Sequence, residues 1–241
     1  SIAGGYLYLT NLNKAKVDEP VWQEKITALG EKAIINLLDG SSVTLNADSK
    51  LRYPIHFSRK QRVVFIEGEA FFEVSKDSSK PFIVHSGQIA TTVLGTIFNV
   101  SAFPSEKNII VSLIEGSVKV SKESPEAVEG IALLQPKQQL FYNKEESISS
   151  FHNFESQEVI GWKDNILIFK KEVFSNVLIK LERVYGIKFE VTDKSFNNRK
   201  ITANFQNESF TTVCQTIKKL TGLKYKLLKE NNRVKKISFY K

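Results

Sequence analysis

The sequence predicts a mainly β N-terminal domain, built as a sandwich, a barrel or a short β-solenoid, and a small α+β C-terminal domain of two β-α-β repeats. Three observations predict this division. About nine short β-type runs lie between Leu37 and Val120, the last third of the chain repeats itself, and the charge changes sign between the two parts. A chain of 241 residues is long enough for two modest domains with buried cores.

The β-type runs are rich in β-branched and aromatic residues and end at Gly, Pro, Asn or Asp. Residues 43–45, 63–66 and 109–113 are typical of them. Short strands at regular spacing favour a sandwich, a barrel or a solenoid. Asp39-Gly40 and Glu115-Gly116 predict hairpin turns, because glycine accepts the positive φ that such turns need.

Two later segments lack the pattern of the strands. Residues 121–130 are rich in Ser, Glu and Pro, which indicates an exposed loop, and residues 143–158 are polar without a clear period. A further strand pair is predicted around residues 138–142. The composition changes near residue 158. We therefore predict three parts: a membrane-proximal segment at residues 1–30, the all-β domain at residues 31–158, and the repeat domain at residues 159–241.

The repeat is found by laying residues 169–189 over residues 205–225, at an offset of 36 residues. Each copy predicts a strand, an amphipathic helix and a second strand. Gly186 and Gly222 fall where a helix end needs left-handed backbone, and Ser209 is a candidate N-cap of the second helix. The matching pairs are Phe169 with Phe205, Phe174 with Phe210, Leu178 with Cys214, Leu181 with Ile217, Val184 with Leu220, Gly186 with Gly222, and Phe189 with Tyr225.

A single β-α-β unit cannot bury a helix face alone, so we expect the two units to share one small sheet covered by both helices. The chain then ends in a predicted hairpin, with strands at residues 224–229 and 233–240 and Asn231-Asn232 in the turn. Cys214 is the single cysteine, which excludes an internal disulfide. Its match to Leu178 places Cys214 on the buried face of the second helix.

The net charge of +8 is divided unevenly along the chain. Residues 161–241 carry 18 Lys and Arg against 7 Asp and Glu, a net of +11, whereas residues 1–160 carry 16 against 19, a net of −3. A basic module of this kind suits an acidic protein surface. Single-strand nucleic-acid binding is an alternative use of the same lysines, with Phe239 and Tyr240 as stacking platforms, but no RNP or helix-turn-helix motif accompanies them.

No catalytic motif supports an enzyme, so we predict a protein without catalytic activity, metal or cofactor. His56, His85 and His152 lack the spacing of metal ligands, and there is no G-x-S-x-G elbow. Glu67 and Glu69 are a candidate carboxylate pair, but strand alternation places both on one solvated face. A carbohydrate-binding or carbohydrate-active β-protein is a further alternative, which needs exposed aromatic side chains on one face or paired carboxylates in a cleft.

Three blocks of the β-type region follow one another in a fixed order: LDGSSVTLNA at residues 38–47, GEAFFEV at residues 68–74, and VLGTIFNV at residues 93–100. Together with the GWKDN turn at residues 161–165, they make the chain resemble the FecR family. These proteins are membrane-spanning sigma-factor regulators that relay an outer-membrane transporter signal in bacteria with two membranes. The repeats are similar to the STN fold, a small signalling domain of secretins and TonB-dependent transducers. The resemblance covers roughly residues 31–240.

The resemblance implies a periplasmic location, with the natural protein anchored in the inner membrane by a single helix upstream of Ser1. The chain contains no Met, so we expect the start of the gene product to be missing and residues 2–12 to be the tail of an apolar segment. The resemblance also implies two partners. The missing cytoplasmic segment would bind an ECF sigma factor, and residues 161–241 would bind the signalling domain of an outer-membrane TonB-dependent transporter. Nucleic acid is not expected as a partner.

Strand addition is the expected binding mode, because both partners would be small sheets with unpaired edges. We predict the last strand as the docking edge, ahead of residues 200–205. The predicted partner-binding residues are Ile237, Phe239, Tyr240, Lys235 and Lys236.

The resemblance also implies one candidate reaction, at Gly95-Thr96. Some FecR-like regulators are considered to cleave themselves at a Gly-Thr bond in this motif, through attack of the threonine hydroxyl on the preceding carbonyl. That reaction needs a strained bond and a nearby base. We favour a packing role instead, in which Gly95 lets strands approach closely and Thr96 is an ordinary strand residue.

Overall fold

The computed structural model describes residues 20–241. The predicted apolar tail at residues 2–12 lies outside this range. Strands come first along the described chain, and its two longer helices lie in the last third. None of the helices between residues 20 and 241 has the length and apolar character required to cross a membrane.

Thirteen strands form a β body, which we define as residues 22–153. Apolar alternation accounts for many of them, since every second side chain is buried in residues 42–45 and 82–86. The strands are β1 (Trp22–Thr27), β2 (Ala33–Asn36), β3 (Ser42–Leu45), β4 (Ser49–Pro54), β5 (Arg62–Glu73), β6 (Phe82–Ser86), β7 (Ile89–Val93), β8 (Ile97–Ala102), β9 (Asn108–Glu115), β10 (Val118–Glu123), β11 (Val128–Leu134), β12 (Gln138–Asn143) and β13 (Ser149–Asn153).

The strands of the β body make one continuous sheet that folds over at β5. One half runs in the order β11-β10-β7-β6-β5-β4-β1, and the other in the order β2-β3-β5-β8-β9-β12-β13. Neighbouring strands are antiparallel except β5 and β6, which are parallel. The inner faces enclose one apolar core that includes Phe72, Phe82 and Phe98. The mainly β prediction is confirmed, and the structure has the barrel-like form among its three alternatives.

Strand β5 belongs to both halves of the sheet, and Gly68 is where it passes from one to the other. Residues 62–65 pair with β6, whereas residues 68–73 pair with β8. Gly68 has a φ of +98°, and a Cβ atom there would lie 2.7 Å from the Cα of Ser49. The sequence pattern separates residues 63–66 from residues 68–74, but the structure joins them, because glycine bends the backbone without ending its pairing.

The exposed loop predicted at residues 121–130 is confined to residues 124–127, and one of the two predicted hairpins is wrong, although the Asp39-Gly40 turn does join the antiparallel pair β2 and β3. Glu115-Gly116 connects β9 to β10, which lie in different halves of the sheet. Residues 121–130 belong mostly to the antiparallel pair of β10 and β11. β11 is an edge strand with an exposed start, so its polar composition resembles that of a loop.

A short connection leads from the β body towards the last third of the chain. It contains α1 (Ser156–Ile160) and a turn of 3-10 helix at Gly161–Asp164. Residues 143–158, in which the sequence shows no clear period, therefore hold β13 and the first turn of α1. β13 lies at the edge of the sheet and is mostly exposed, so apolar alternation does not mark it.

The C-terminal module, which we define as residues 166–241, contains the predicted repeats. Gly186 and Gly222 end the helices with φ values of +65° and +74°, and Ser209 Oγ accepts a hydrogen bond from Thr212 N. These local predictions are confirmed. The elements are β14 (Ile166–Val173), α2 (Phe174–Tyr185), β15 (Lys188–Val191), β16 (Lys200–Gln206), α3 (Phe210–Thr221), β17 (Lys224–Glu230) and β18 (Arg233–Tyr240).

The prediction of one small sheet in the module is wrong, because the module contains two. β14 pairs with β16, and β18 lies between β15 and β17. The β17–β18 hairpin has Asn231-Asn232 in its turn, as predicted, and β15 is parallel to β18. Neither narrow sheet could bury a helix face alone, so both sheets and both helices share a single apolar core around Phe174, Leu181 and Phe239.

Replacing Gly68 by alanine should destabilise the β body, because the new Cβ would collide with the Ser49 backbone and the positive φ would be strained. We expect Gly68→Ala to lower the free energy of unfolding by about 2 to 4 kcal/mol in urea titrations. Gly130→Ala is the matched control, since a Cβ at exposed Gly130 meets nothing within 4 Å. Equal stability of the two variants would contradict the role assigned to Gly68.

Candidate functional site

The C-terminal module contacts the β body through the end of α2, where Arg183 is buried. Its Nη1 lies 2.5 Å from Glu106 Oε1, and its Nε lies 3.9 Å from Asp48 Oδ2. The guanidinium also stacks on Phe103, with Cζ 3.3 Å from the ring centroid. A buried charge needs compensation of this kind, and the planar guanidinium matches both the carboxylate and the ring. We call Asp48, Phe103 and Glu106 the acidic socket.

The backbones of the two parts also meet beside the acidic socket. Gly30 N donates a hydrogen bond of 2.7 Å to the carbonyl oxygen of Arg183. The Leu29-Gly30 turn packs directly against Gly186 at the end of α2. The last carbonyl groups of a helix have no partner inside the helix, so the turn satisfies one of them.

A second contact joins the β body to the connection at residues 161–165. Lys32 Nζ donates to the Trp162 carbonyl oxygen at 2.5 Å and to Asn165 Oδ1 at 2.7 Å. Lys163 Nζ lies 3.6 Å from the centroid of the Phe71 ring. Burial lowers the pKa of Lys32. The GWKDN turn, singled out in the sequence, therefore fixes the connection against the β body.

Glu69 lies near the acidic socket and is half-buried. Asn46 Nδ2 donates to Glu69 Oε2 at 2.8 Å, and Asn99 Nδ2 donates to Glu69 Oε1 at 2.9 Å. Burial raises the pKa of Glu69, and the neighbouring charge of Glu106 adds to the rise, while the two amides and Lys180 act against it. The site thus holds a carboxyl group that is easier to protonate than an ordinary glutamate.

Sequence reasoning missed Arg183, Glu106 and Asp48. A charged side chain in a predicted amphipathic helix normally lies on the solvated face, and the two acids sit in loops with no motif. The prediction that Glu67 and Glu69 share one solvated face holds only for Glu67. The alternation of β5 runs through both residues, but Glu67 is exposed whereas Glu69 is half-buried and accepts hydrogen bonds from Asn46 and Asn99.

A cleft of about 970 Å³ lies on the β body beside Gly95 and Thr96. Its wall includes Arg62, whose side chain is only 2% exposed and whose Nη1 lies 2.8 Å from Asp39 Oδ2. The Arg62 guanidinium also donates to the carbonyl oxygens of Ser75 and Lys80. Arg62 therefore ties the Asp39 turn to the loop after β5.

Gly95 lies where two backbone segments approach closely. Val74 N donates to the Thr96 carbonyl oxygen and Asp77 N to that of Leu94, so residues 74–77 run alongside residues 94–96. A Cβ atom at Gly95 would lie 2.7 Å from the Cα of Lys76. This approach accounts for the glycine by packing.

The hydroxyl of Thr96 is buried and donates a hydrogen bond of 3.0 Å to the Ser117 carbonyl oxygen. Among the described residues, no carboxylate, lysine or imidazole hydrogen-bonds to this hydroxyl. Attack on the Gly95 carbonyl would need a group to accept the hydroxyl proton. Self-cleavage at Gly95-Thr96 stays the alternative to the favoured packing role.

The predicted docking edge is not an edge, because β18 is the central strand of its sheet. Ile237 and Phe239 are fully buried in the core of the module. Lys236 Nζ lies 2.7 Å from Glu190 Oε1, while Lys235 is exposed and Tyr240 is half-buried. The error arose because the parallel pairing of β18 with β15 joins segments that are far apart in sequence. A partner-binding role for Lys235, Lys236 and Tyr240 stays a prediction.

β15 and β17 are the two outer strands of this sheet, and β17 is the longer one. Among residues 20–241 it pairs with β18 alone. Leu227 and Leu228 are 38% and 57% exposed, and Lys224, Lys226 and Lys229 along the same strand are exposed as well. The open edge of a strand with apolar and basic side chains offers a partner main-chain hydrogen-bonding groups and favours an acidic partner.

The three histidines do not form a site. His85 Nδ1 lies 3.1 Å from Glu123 Oε2, and the His85 ring stacks on Phe65, whereas His56 and His152 are exposed elsewhere. Within the part of the chain that the structure describes, no three His, Cys, Asp or Glu side chains group as metal ligands would. Burial raises the pKa of Cys214 to about 12, so its thiol stays protonated and packs as an apolar group.

Partly exposed aromatic side chains occur on the outside of the β body, where the carbohydrate alternative requires exposed ones. Trp22 and Phe65 are neighbours, with ring centroids 5.4 Å apart. However, the Arg52 guanidinium lies over the Trp22 ring at 4.6 Å and near the Phe65 ring at 5.6 Å. Because a cation already covers the Trp22 ring, this face is a poor platform for stacking a sugar.

Comparison with known proteins gives two family matches. The sequence model described as FecR protein matches residues 24–119, and the one described as FecR, C-terminal matches residues 166–235. The search of curated proteins finds no match.

Two crystal structures of a candidate anti-sigma factor from Parabacteroides distasonis ATCC 8503, at 2.50 Å and 1.65 Å, are also similar to this chain. Their sequences are 33% and 34% identical to it, with TM-scores of 0.80 and 0.79. The similarity covers 92% and 91% of this chain and 99% of each of those chains.

Removing the buried guanidinium should weaken the contact between the two parts. We expect Arg183→Ala to lower the free energy of unfolding by roughly 2 to 4 kcal/mol, less than for a fully buried pair because Glu106 is partly exposed. Lys219→Ala is the matched control, since Lys219 is exposed at the equivalent position of α3. Urea denaturation should show less than about 0.5 kcal/mol for the control. Similar losses in both variants would show that the acidic socket does not stabilise the fold.

Glu69 should make stability depend on pH. Its raised pKa means that the folded chain binds the proton more tightly than the unfolded chain, so stability falls as pH rises from the ordinary pKa of 4.5 through the raised value. Glu69→Gln should abolish this fall and be more stable than the wild type at pH 7. Asn99 Oδ1 has no hydrogen-bond partner among residues 20–241, so a flip of the Asn99 amide would let this oxygen accept a hydrogen bond from the N–H that the substitution introduces.

Thermal unfolding at pH 4 and pH 7 tests this expectation. The gain of Glu69→Gln over the wild type should appear at pH 7 and shrink towards pH 4. Glu67→Gln, on the same strand but exposed, should change the profile little. A Glu69→Gln variant that is less stable at pH 7 than at pH 4, relative to the wild type, would contradict the assigned direction.

Proposed function

We propose, because this chain belongs to the FecR family, that it is the signal-receiving part of an anti-sigma regulator. The similar structures from Parabacteroides distasonis are described as those of a candidate anti-sigma factor, and the similarity spans nearly their whole length. The mainly β body and the basic α+β module match the two family models in order along the chain.

The proposed setting is the periplasm, with the natural protein anchored in the inner membrane by a helix upstream of Ser1. The cytoplasmic end of that protein would bind an ECF sigma factor. The C-terminal module would bind the signalling domain of an outer-membrane TonB-dependent transporter, and its likeness to the STN fold is part of this proposal. A regulator placed in this way converts an event at the outer membrane into release or activation of a sigma factor.

The open edge of β17 is the observation that carries the receiver role. Its exposed leucines and lysines lie on a strand that only β18 pairs with in residues 20–241. An incoming strand would satisfy the unpaired N–H and C=O groups, and the lysines would favour a partner with acidic side chains. The net charge of +11 on residues 161–241 supports the same choice of partner.

The β body would hold the module in a defined orientation relative to the membrane-proximal residues. Arg183, Lys32 and Lys163 each make contacts between the two parts. A force or a displacement applied to the module would therefore reach the β body through fixed contacts and not through a flexible linker. The buried Thr96 hydroxyl lies outside this contact, so the proposed relay does not require cleavage at Gly95-Thr96.

Binding to purified signalling domains of the TonB-dependent transporters encoded in the same genome tests the proposal. The wild-type chain should bind one of these domains in calorimetric titrations, more weakly at high salt. Lys226→Glu combined with Leu228→Asp should weaken binding at least about tenfold, because both changes oppose an acidic strand at the β17 edge.

The matched control is Lys60→Glu combined with Leu38→Asp, which makes the same chemical changes at exposed positions of the β body. The control should bind like the wild type. If the wild type binds none of the signalling domains, the receiver proposal is wrong. If the β17 variant binds as tightly as the control, β17 is not the docking edge.

A further inference from the structure

The two helices of the repeat end in equivalent places, and one of those ends is docked. At the offset of 36 residues, Arg183 corresponds to Lys219 and Gly186 to Gly222. In α2 this end holds the only arginine of the two helices, and the β body covers it with the acidic socket and the Leu29-Gly30 turn. The contacts at the end of α2 therefore indicate which chemical groups such a helix end can bind.

Within residues 20–241, nothing covers the equivalent end of α3. A Cβ atom built on Gly222 meets no atom of this range within 4 Å, whereas one built on Gly186 lies 3.1 Å from the Leu29 carbonyl oxygen. Leu220, which the sequence predicts to be on the buried stripe, is 52% exposed. Val184, its counterpart in α2, packs against the core of the module. The second copy thus presents the face that the first copy buries.

The charge at the end of α3 is also uncompensated. Lys218 and Lys219 are both exposed, and neither forms an ion pair with any of residues 20–241. The negative end of the helix dipole favours cations at this position, so the two lysines are held there at little cost. Lys224, at the start of β17, adds a third exposed lysine three residues after Thr221.

We propose that the C-terminal end of α3 docks an acidic loop of the partner in the way that the end of α2 docks the β body. The loop would place carboxylates against Lys218 and Lys219 and an apolar side chain against Leu220. A main-chain N–H of the loop would reach the Lys219 carbonyl oxygen, as Gly30 N reaches that of Arg183. The occupant is a loop of the transporter signalling domain, so this inference rests on the proposed function.

A lysine at position 219 is better suited than an arginine to a partner that binds reversibly. The guanidinium of Arg183 stacks on Phe103 and meets a carboxylate in one fixed geometry, which suits a permanent contact. A lysine ammonium is a flexible and strongly hydrated point charge, so it attracts an acidic surface without requiring the same burial. The equivalent ends of the two helices would therefore differ in how long their contacts last. The end of α2 makes a lasting contact with the β body, and the end of α3 makes a reversible contact with the partner.

The test uses the full chain and the signalling domains of the TonB-dependent transporters from the same genome. Lys219→Glu combined with Leu220→Ser should weaken the binding of whichever domain the wild type binds at least tenfold. Both side chains are exposed, so circular dichroism and thermal unfolding should match those of the wild type. Lys219→Arg should keep or increase the affinity.

The matched control is Lys60→Glu combined with Ile34→Ser, at exposed positions of the β body. It changes the net charge equally and should leave binding within twofold of the wild type. If the wild type binds a signalling domain and the α3 variant binds it equally well, the docking of α3 is wrong while the receiver function stands. If the wild type binds none of the domains, the receiver function itself fails, and the α3 inference fails with it.

Discussion

The contact on which the arrangement of this protein depends is the burial of the Arg183 guanidinium against Phe103 and Glu106. The β body and the C-terminal module have separate apolar cores, and each core could form without the other. The guanidinium makes them interdependent, because a charge taken out of water costs several kcal/mol unless a carboxylate and close packing compensate it. The observed placement of the module provides both.

The acidic socket depends in turn on how the β body is folded. Glu106 lies in the loop between β8 and β9, and Asp48 lies in the turn between β3 and β4. These connections come together because β3 and β8 flank the second half of β5. Gly68 allows β5 to enter that half of the sheet while its first half pairs elsewhere. A backbone bend that is tolerated by one glycine therefore helps to place the carboxylates that receive the module.

Duplication within the module has produced two similar helices with different surroundings. The first helix ends against the β body, and the second ends in solvent among lysines. The apolar positions of the two copies remain alike because they face one shared core, whereas the exposed positions could change without loss of stability. Arginine at position 183 makes a permanent contact, whereas lysine at the equivalent position 219 lies on an open surface.

Local patterns in the sequence determined the β-rich first part, the two strand-helix-strand units, the glycines that end both helices and the final hairpin. Each of these depends on interactions between residues close in sequence, so periodicity and turn residues reveal them. The resemblance carried by residues 38–47, 68–74 and 93–100 supplied the family.

The tertiary structure alone decided the rest. The parallel pairing of β15 with β18 divided the predicted single sheet and buried Ile237 and Phe239. In the β body, edge strands such as β13 lack the apolar alternation that would reveal them in the sequence. In the sequence, Arg183 resembles any other charged helix residue. Only the structure shows that Glu106, 77 residues away, lies beside it. Pairing between distant segments and the compensation of a buried charge depend on which surfaces meet in three dimensions, and no short stretch of sequence contains that information.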